Sequence, residues 1–123
     1  MRRVFHLSID QVNAALSPGW DEPAGLDVRT LFPRDGTFPP DADGLVIDLD
    51  HLGLTPLEHA QFVHRLVMTV LPYPVAVHGY NLGVEQIEAL EAKGVLVFRR
   101  PGPDLFARLA GAIEARRDGD AAA

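Results

Sequence analysis

Four short apolar runs, at residues 4–7, 45–49, 75–77 and 95–98, constrain this chain most. They are rich in β-branched side chains, bounded by turn-forming residues, and free of the polar–apolar alternation that marks a half-exposed strand. Runs of that kind suit strands buried on both faces of a parallel sheet. Residues 26–32 form a fifth, weaker candidate, because Asp27, Arg29 and Thr30 make it half polar and place it nearer a sheet edge.

Helical patterns separate the runs. Thr55-Pro56-Leu57-Glu58 reads as a capping box, with Thr55 as N-cap, Pro56 at the first helical position and Glu58 reaching back. Phe62, Val63, Leu66, Val67, Val70 and Leu71 then recur at helical spacing. A second helix is predicted over residues 83–93, capped by Asn81, with Val84, Ile87 and Leu90 as its buried stripe and Gly94 as its stop. A third follows Pro103-Asp104, burying Leu105, Phe106, Leu109, Ala112 and Ile113, with Arg116 and Arg117 near its C-terminal end, where cations are favoured. Earlier, residues 10–16 suffice for two turns before Pro18. Residues 33–43 hold Pro33, Pro39 and Pro40 with Asp35, Asp41 and Asp43 and no helical period, so a loop is expected where alternation would put a helix. Strand–helix alternation of this kind implies a doubly wound three-layer α/β domain with right-handed crossovers.

A chain of 123 residues fits one domain, and 47% hydrophobic with 23% charged residues argues against disorder. The domain is placed at residues 1–117, with 118–123 as a frayed tail that has nothing to bury. The absence of Cys removes disulfides and thiolate metal sites and fits a reducing cytoplasm. The N-terminal apolar run is too short for a signal peptide, and no stretch is long enough to span a bilayer. A net charge of −6 makes nucleic acid a poor partner despite the local pairs Arg2-Arg3, Arg99-Arg100 and Arg116-Arg117.

Residues 42–53, from Ala42 through Asp48 to Gly53, resemble the third strand of a response-regulator receiver domain, with Asp48 at the position of the phosphate-accepting aspartate. His78, closing the run at 75–77, stands where receivers carry Ser or Thr. Arg100-Pro101 matches the family's Lys-Pro step. The resemblance covers residues 44–116. It implies a flavodoxin-like sandwich with five parallel strands in order 2-1-3-4-5 and a second helix reduced to a loop. The departures lie in the chemistry. Ser8-Ile9 replaces the acidic pair that holds Mg²⁺, an ion that needs hard oxygen ligands. His78 replaces the hydroxyl that senses phosphate, and Arg100 keeps only the charge of the Lys.

The resemblance therefore implies a cytoplasmic pseudo-receiver that needs no cofactor and signals by binding protein, another chain or its own copy, independently of phosphorylation. One alternative is an atypical phosphoreceiver using Asp48. Another is a small-ligand site at the C-terminal strand ends, lined by Ser8, Asp48, His78 and Arg100. Several residues admit more than one reading. Asp48 accepts phosphate, or pairs with Arg100, or caps the following loop. Asp48, Asp50 and His78 have donors that suit Zn²⁺ or Mn²⁺, but consecutive same-face positions on a strand lie roughly 6–7 Å apart. Trp20 anchors a partner or pins its loop. No nucleophile–base–oxyanion set is visible, so no enzymatic activity is expected. The strand before the third helix and that helix correspond to the face through which receivers dimerise and bind partners, here rimmed by Arg99, Arg100, Arg108, Arg116 and Arg117, which would suit an acidic partner.

Overall fold

The computed structural model describes residues 2–8, 25–31 and 41–122 of the chain. Among them the order is β1 (Arg2–Leu7), β2 (Leu26–Leu31), β3 (Gly44–Asp48), α1 (Pro56–Met68), β4 (Val75–His78), α2 (Val84–Ala92), β5 (Leu96–Phe98) and α3 (Pro103–Ala122). All pairings are parallel, and the strand order is 2-1-3-4-5. This is the doubly wound α/β sheet that the alternation implies, in the flavodoxin-like order that the resemblance implies, with the half-polar strand β2 at one edge. The helix expected at residues 10–16, Ile9, Trp20 and most of the proline-rich stretch at 33–43 lie outside the described residues.

Strand alternation divides the buried side chains between two faces. Leu7, Leu45, Ile47, Val75 and Val77 pack with Phe62, Val63 and Leu66 of α1 and Leu90 of α2. Val4, Val46 and Ala76 pack with Leu105, Phe106, Leu109 and Ile113 of α3. Gly44 leaves α3 room against the sheet, since a Cβ there would sit 3.0 Å from Ile113 Cδ1.

The capping box of α1 forms as its sequence dictates. Thr55 Oγ1 accepts from the Glu58 N–H at 3.2 Å, and Glu58 Oε1 accepts from the Thr55 N–H at 3.0 Å. The backbone hydrogen bond from Thr55 holds the Glu58 carboxyl below its ordinary range. The helix ends earlier than its apolar pattern. Thr69 is extended, and its hydroxyl donates to the Arg65 carbonyl at 2.7 Å, taking an acceptor from the last turn. Val70, expected in the buried stripe, is consequently 91% exposed.

In α2 the N-cap is Gly83, not Asn81; Gln86 Oε1 accepts from the Gly83 N–H at 2.9 Å. Val84 is exposed, so the stripe narrows to Leu90 with Ile87 half-buried. Gly94 stops the chain as predicted, at φ +81°, a conformation that a Cβ disfavours. The backbone of α3 continues through Ala122, past the start of the tail expected at 118. No proline interrupts it and alanines sustain it. Arg116 is therefore not in its last turn.

The connections leave β1 toward β2 and β3 toward β5, so the sheet reverses direction between β1 and β3. Such a switch point opens a crevice at the C-terminal ends of the strands. Ser8, Asp48 and His78 stand there.

Candidate functional site

The α3-facing side of the sheet is apolar until its C-terminal end, where the sequence changes character. On β1, Val4 is followed at strand spacing by His6, and just past its end by Ser8; on β3, Val46 by Asp48; on β4, Ala76 by His78. The register sets Asp48 beside His78 and His6 beside Val46. The period of two thus collects His6, Ser8, Asp48 and His78 on one face. They are the buried polar residues of the described chain, each no more than 4% exposed.

Asp48 is held from several sides. Ser8 Oγ donates to Oδ2 at 3.0 Å, and the Asp50 N–H donates to Oδ1 at 3.2 Å. His51 Nδ1 lies 2.9 Å from Oδ2, and His78 Nδ1 lies 3.8 Å from Oδ1. The first distance is a hydrogen bond, and the second is an electrostatic contact only. Above β3 the imidazoles of His6 and His78 reach toward each other from strands on either side, with Nε2 atoms 3.0 Å apart. Their rings are stacked, with centroids 5.3 Å apart and planes inclined by 13°.

Burial pushes the His6 imidazole down to about 4, aided by the neighbouring His78 and His51 and opposed by Asp48. Burial lowers His78 too, against the pull of Asp48 and Asp50. Both rings are therefore neutral at neutral pH, and a neutral pair joined through Nε2 atoms needs one donor and one acceptor. The carboxylate beside His78 Nδ1 favours a proton there. That makes His78 Nε2 the acceptor and His6 Nε2–H the donor, and sets up a polar line from His51 through Asp48 and His78 to His6.

The structure brings together three residues that the sequence singles out, Ser8, Asp48 and His78, and adds His6 and His51. It does not bring Arg100. That side chain is exposed, and no ion pair joins it to Asp48 among the described residues; of the readings open for Asp48, pairing with Arg100 gives way to contacts with Ser8 and His51 and to the Asp50 N–H of the following loop. Asp50 is also redirected. Its two oxygens accept from the Tyr80 N–H at 3.1 and 3.2 Å, which ties the loop after β3 to the loop after β4 and removes Asp50 from the Asp48–His78 set. Of the predicted basic rim, Arg99, Arg100, Arg108 and Arg116 are exposed. The Arg108 guanidinium lies 5.1 Å from the Phe98 ring centre, and Arg99 borders a small cleft with Tyr80 and Phe98.

His6 was missed because it sits inside an apolar run, with no motif around it. The available signal was parity, since His6 and Ser8 share a strand face, but which strands flank β3 had to be known first. Compared with known proteins, the chain matches no family model, and no curated protein matches it. Fold and site define a flavodoxin-like α/β domain whose switch point is filled by a buried His–Asp–His cluster. No described helix is long and apolar enough to cross a membrane.

Proposed function

We propose that this chain is a receiver-like signalling module that works by protein–protein contact without phosphorylation. The observation that carries the reading is the closure of Asp48. At 4% exposure, with both oxygens engaged by Ser8, His51 and the Asp50 N–H, it has little access for an incoming phosphoryl group. Phosphoryl transfer also depends on stabilising charge at the transferring group, in receivers through Mg²⁺. Here β1 offers His6 and Ser8 at the site instead of a pair of carboxylates, and β4 offers an imidazole instead of a hydroxyl.

We place the signalling contact on the side of α2, β5 and α3. Tyr80 in the loop after β4 and Val84 at the start of α2 are exposed, at 59% and 71%, and Arg99 lines the same cleft as Tyr80. Apolar anchors with basic neighbours on a chain of net charge −6 fit an acidic protein partner or an acidic patch of a second copy.

The test is a melting curve with and without Mg²⁺ and beryllofluoride, a phosphoryl mimic. No change in Tm is expected. A rise abolished in Asp48→Asn would restore the phosphoacceptor reading, because a ligand that binds only the folded state must stabilise it. Sedimentation of the wild type against Val84→Glu then examines the contact face. Self-association lost in the variant favours a homodimer, and a monomer in both directs the search to a different, acidic chain.

A further inference from the structure

We propose that His6, Asp48 and His78 form a binding site for a divalent transition ion of the Zn²⁺ class, at a place where the resemblance implies only a defunct Mg²⁺ site. One ligand atom from each of the three residues lies within 4.8 Å of the others, and all three residues are buried. Tetrahedral Zn²⁺ with bonds of about 2.0–2.1 Å sets its ligand atoms about 3.4 Å apart. The two Nε2 atoms, at 3.0 Å, need to part by a few tenths of an ångström, and the Asp48 carboxylate needs to swing toward them.

The donors choose the ion. Two imidazole nitrogens and one carboxylate suit Zn²⁺ and its late first-row neighbours, whereas Mg²⁺ wants an all-oxygen octahedron. Loading requires His6 to carry its proton on Nδ1, which frees the Nε2 lone pair to point at the ion in place of His78. The outer layer is built as well. Metal-bound carboxylates are oriented by hydrogen bonds to their remaining lone pairs. Ser8 Oγ, the Asp50 N–H and His51 hold Asp48 in the metal-free position, and those that follow the carboxylate as it turns toward the imidazoles would supply this layer. His51 also marks the approach from solvent, because 55% of its side chain is exposed while Asp48 behind it is nearly covered. With three protein ligands, water would supply the fourth on loading, on the open-site pattern.

The inference does not rest on the proposed signalling role. Chelator-stripped protein is titrated with Zn²⁺ against a chromophoric chelator, and with Co²⁺ monitored by its visible d–d absorption. One ion per chain is expected, with Co²⁺ bands of a four- or five-coordinate site and a Tm that climbs with free Zn²⁺. His6→Gln and His78→Gln should each abolish the Co²⁺ spectrum, and Ser8→Ala should weaken Zn²⁺ binding about 10–100-fold. Should the buried variants fail to fold, imidazole ¹⁵N resonances of the wild type decide. Zn²⁺ must move those of His6 and His78 and leave those of His59 and His64 in place. Absence of binding, or binding that follows His59 and His64 on α1, overturns the proposal.

Discussion

Lowering the pH on metal-free protein should unfold it sooner than carboxylate protonation alone explains. His6 carries the argument. Folding depresses its pKa from 6.5 to about 4, so below about pH 6.5 the unfolded chain binds a proton that the folded chain refuses. The stability contribution is complete above the unfolded value, falls as the pH drops, and levels off below about 4, where both states are protonated. Linkage with those two values gives a loss of about 2–3 kcal/mol between about pH 7 and about pH 4.5. The groups facing His6 are His78, Asp48 and His51, and His78 is shifted in the same direction, which deepens the loss. A loss of that size is a large part of the roughly 5–15 kcal/mol that holds most domains together. Urea unfolding at a series of pH values, with chelator present, measures it. His6→Gln, which keeps a polar side chain without the titration, should be less stable at neutral pH and lose less on acidification. Parallel pH profiles for the two proteins, or a His6 ring that titrates near 6.5 by NMR, would refute the reasoning.

Thr55→Ala removes the acceptor for the Glu58 N–H and should lower stability by about 1 kcal/mol, read as a shift in the urea midpoint at constant m-value. Gly94→Ala places a Cβ at φ +81° in open space, so the cost is backbone strain of about 1–2 kcal/mol, with no steric clash to add to it. Phe106→Ala empties the centre of the α3 layer, where Phe106 is 1% exposed, and should cost about 3–5 kcal/mol by the same assay.

The legible part of the fold was that set by burial on two sides. The runs at 45–49 and 75–77 become β3, the middle strand of the described sheet, and its neighbour β4, because a strand covered on both faces tolerates consecutive apolar residues up to the polar side chain that closes it. The half-polar run at residues 26–32 lands at the edge for the converse reason. Helix starts were legible where the N-cap residue supplies a side chain, as at Thr55, and less so where it has none, as at Gly83. Helix ends were the weak point. Val70 and Val84 carry the right residue type at the right spacing, yet one lies past an extended Thr69 and the other on the first, exposed turn of α2. Apolar spacing extends beyond the helix whenever neighbouring loop residues also happen to be apolar.

The site shows a different limit. Asp48 and His78 are readable because each closes a strand, and a residue at a strand's C-terminal end in a doubly wound sheet faces the crevice by construction. His6 does not close its strand, and in sequence it is one residue in an apolar run. Its role comes from three conditions that multiply: parity with Ser8, a register that sets β1 one step behind β3, and a strand order that puts β1 and β4 on opposite sides of β3. The last condition is a property of the sheet, since the chain reaches β4 only after β2, β3 and α1. A one-residue slip of β1 would send His6 to the other face, among Phe62, Val63 and Leu66, and leave Asp48 without Ser8. The polar pair on β1 thus opposes any such slip, because burying an unpartnered imidazole costs more than a shifted apolar side chain. The same residues that make the site also fix the register of the strand that carries it.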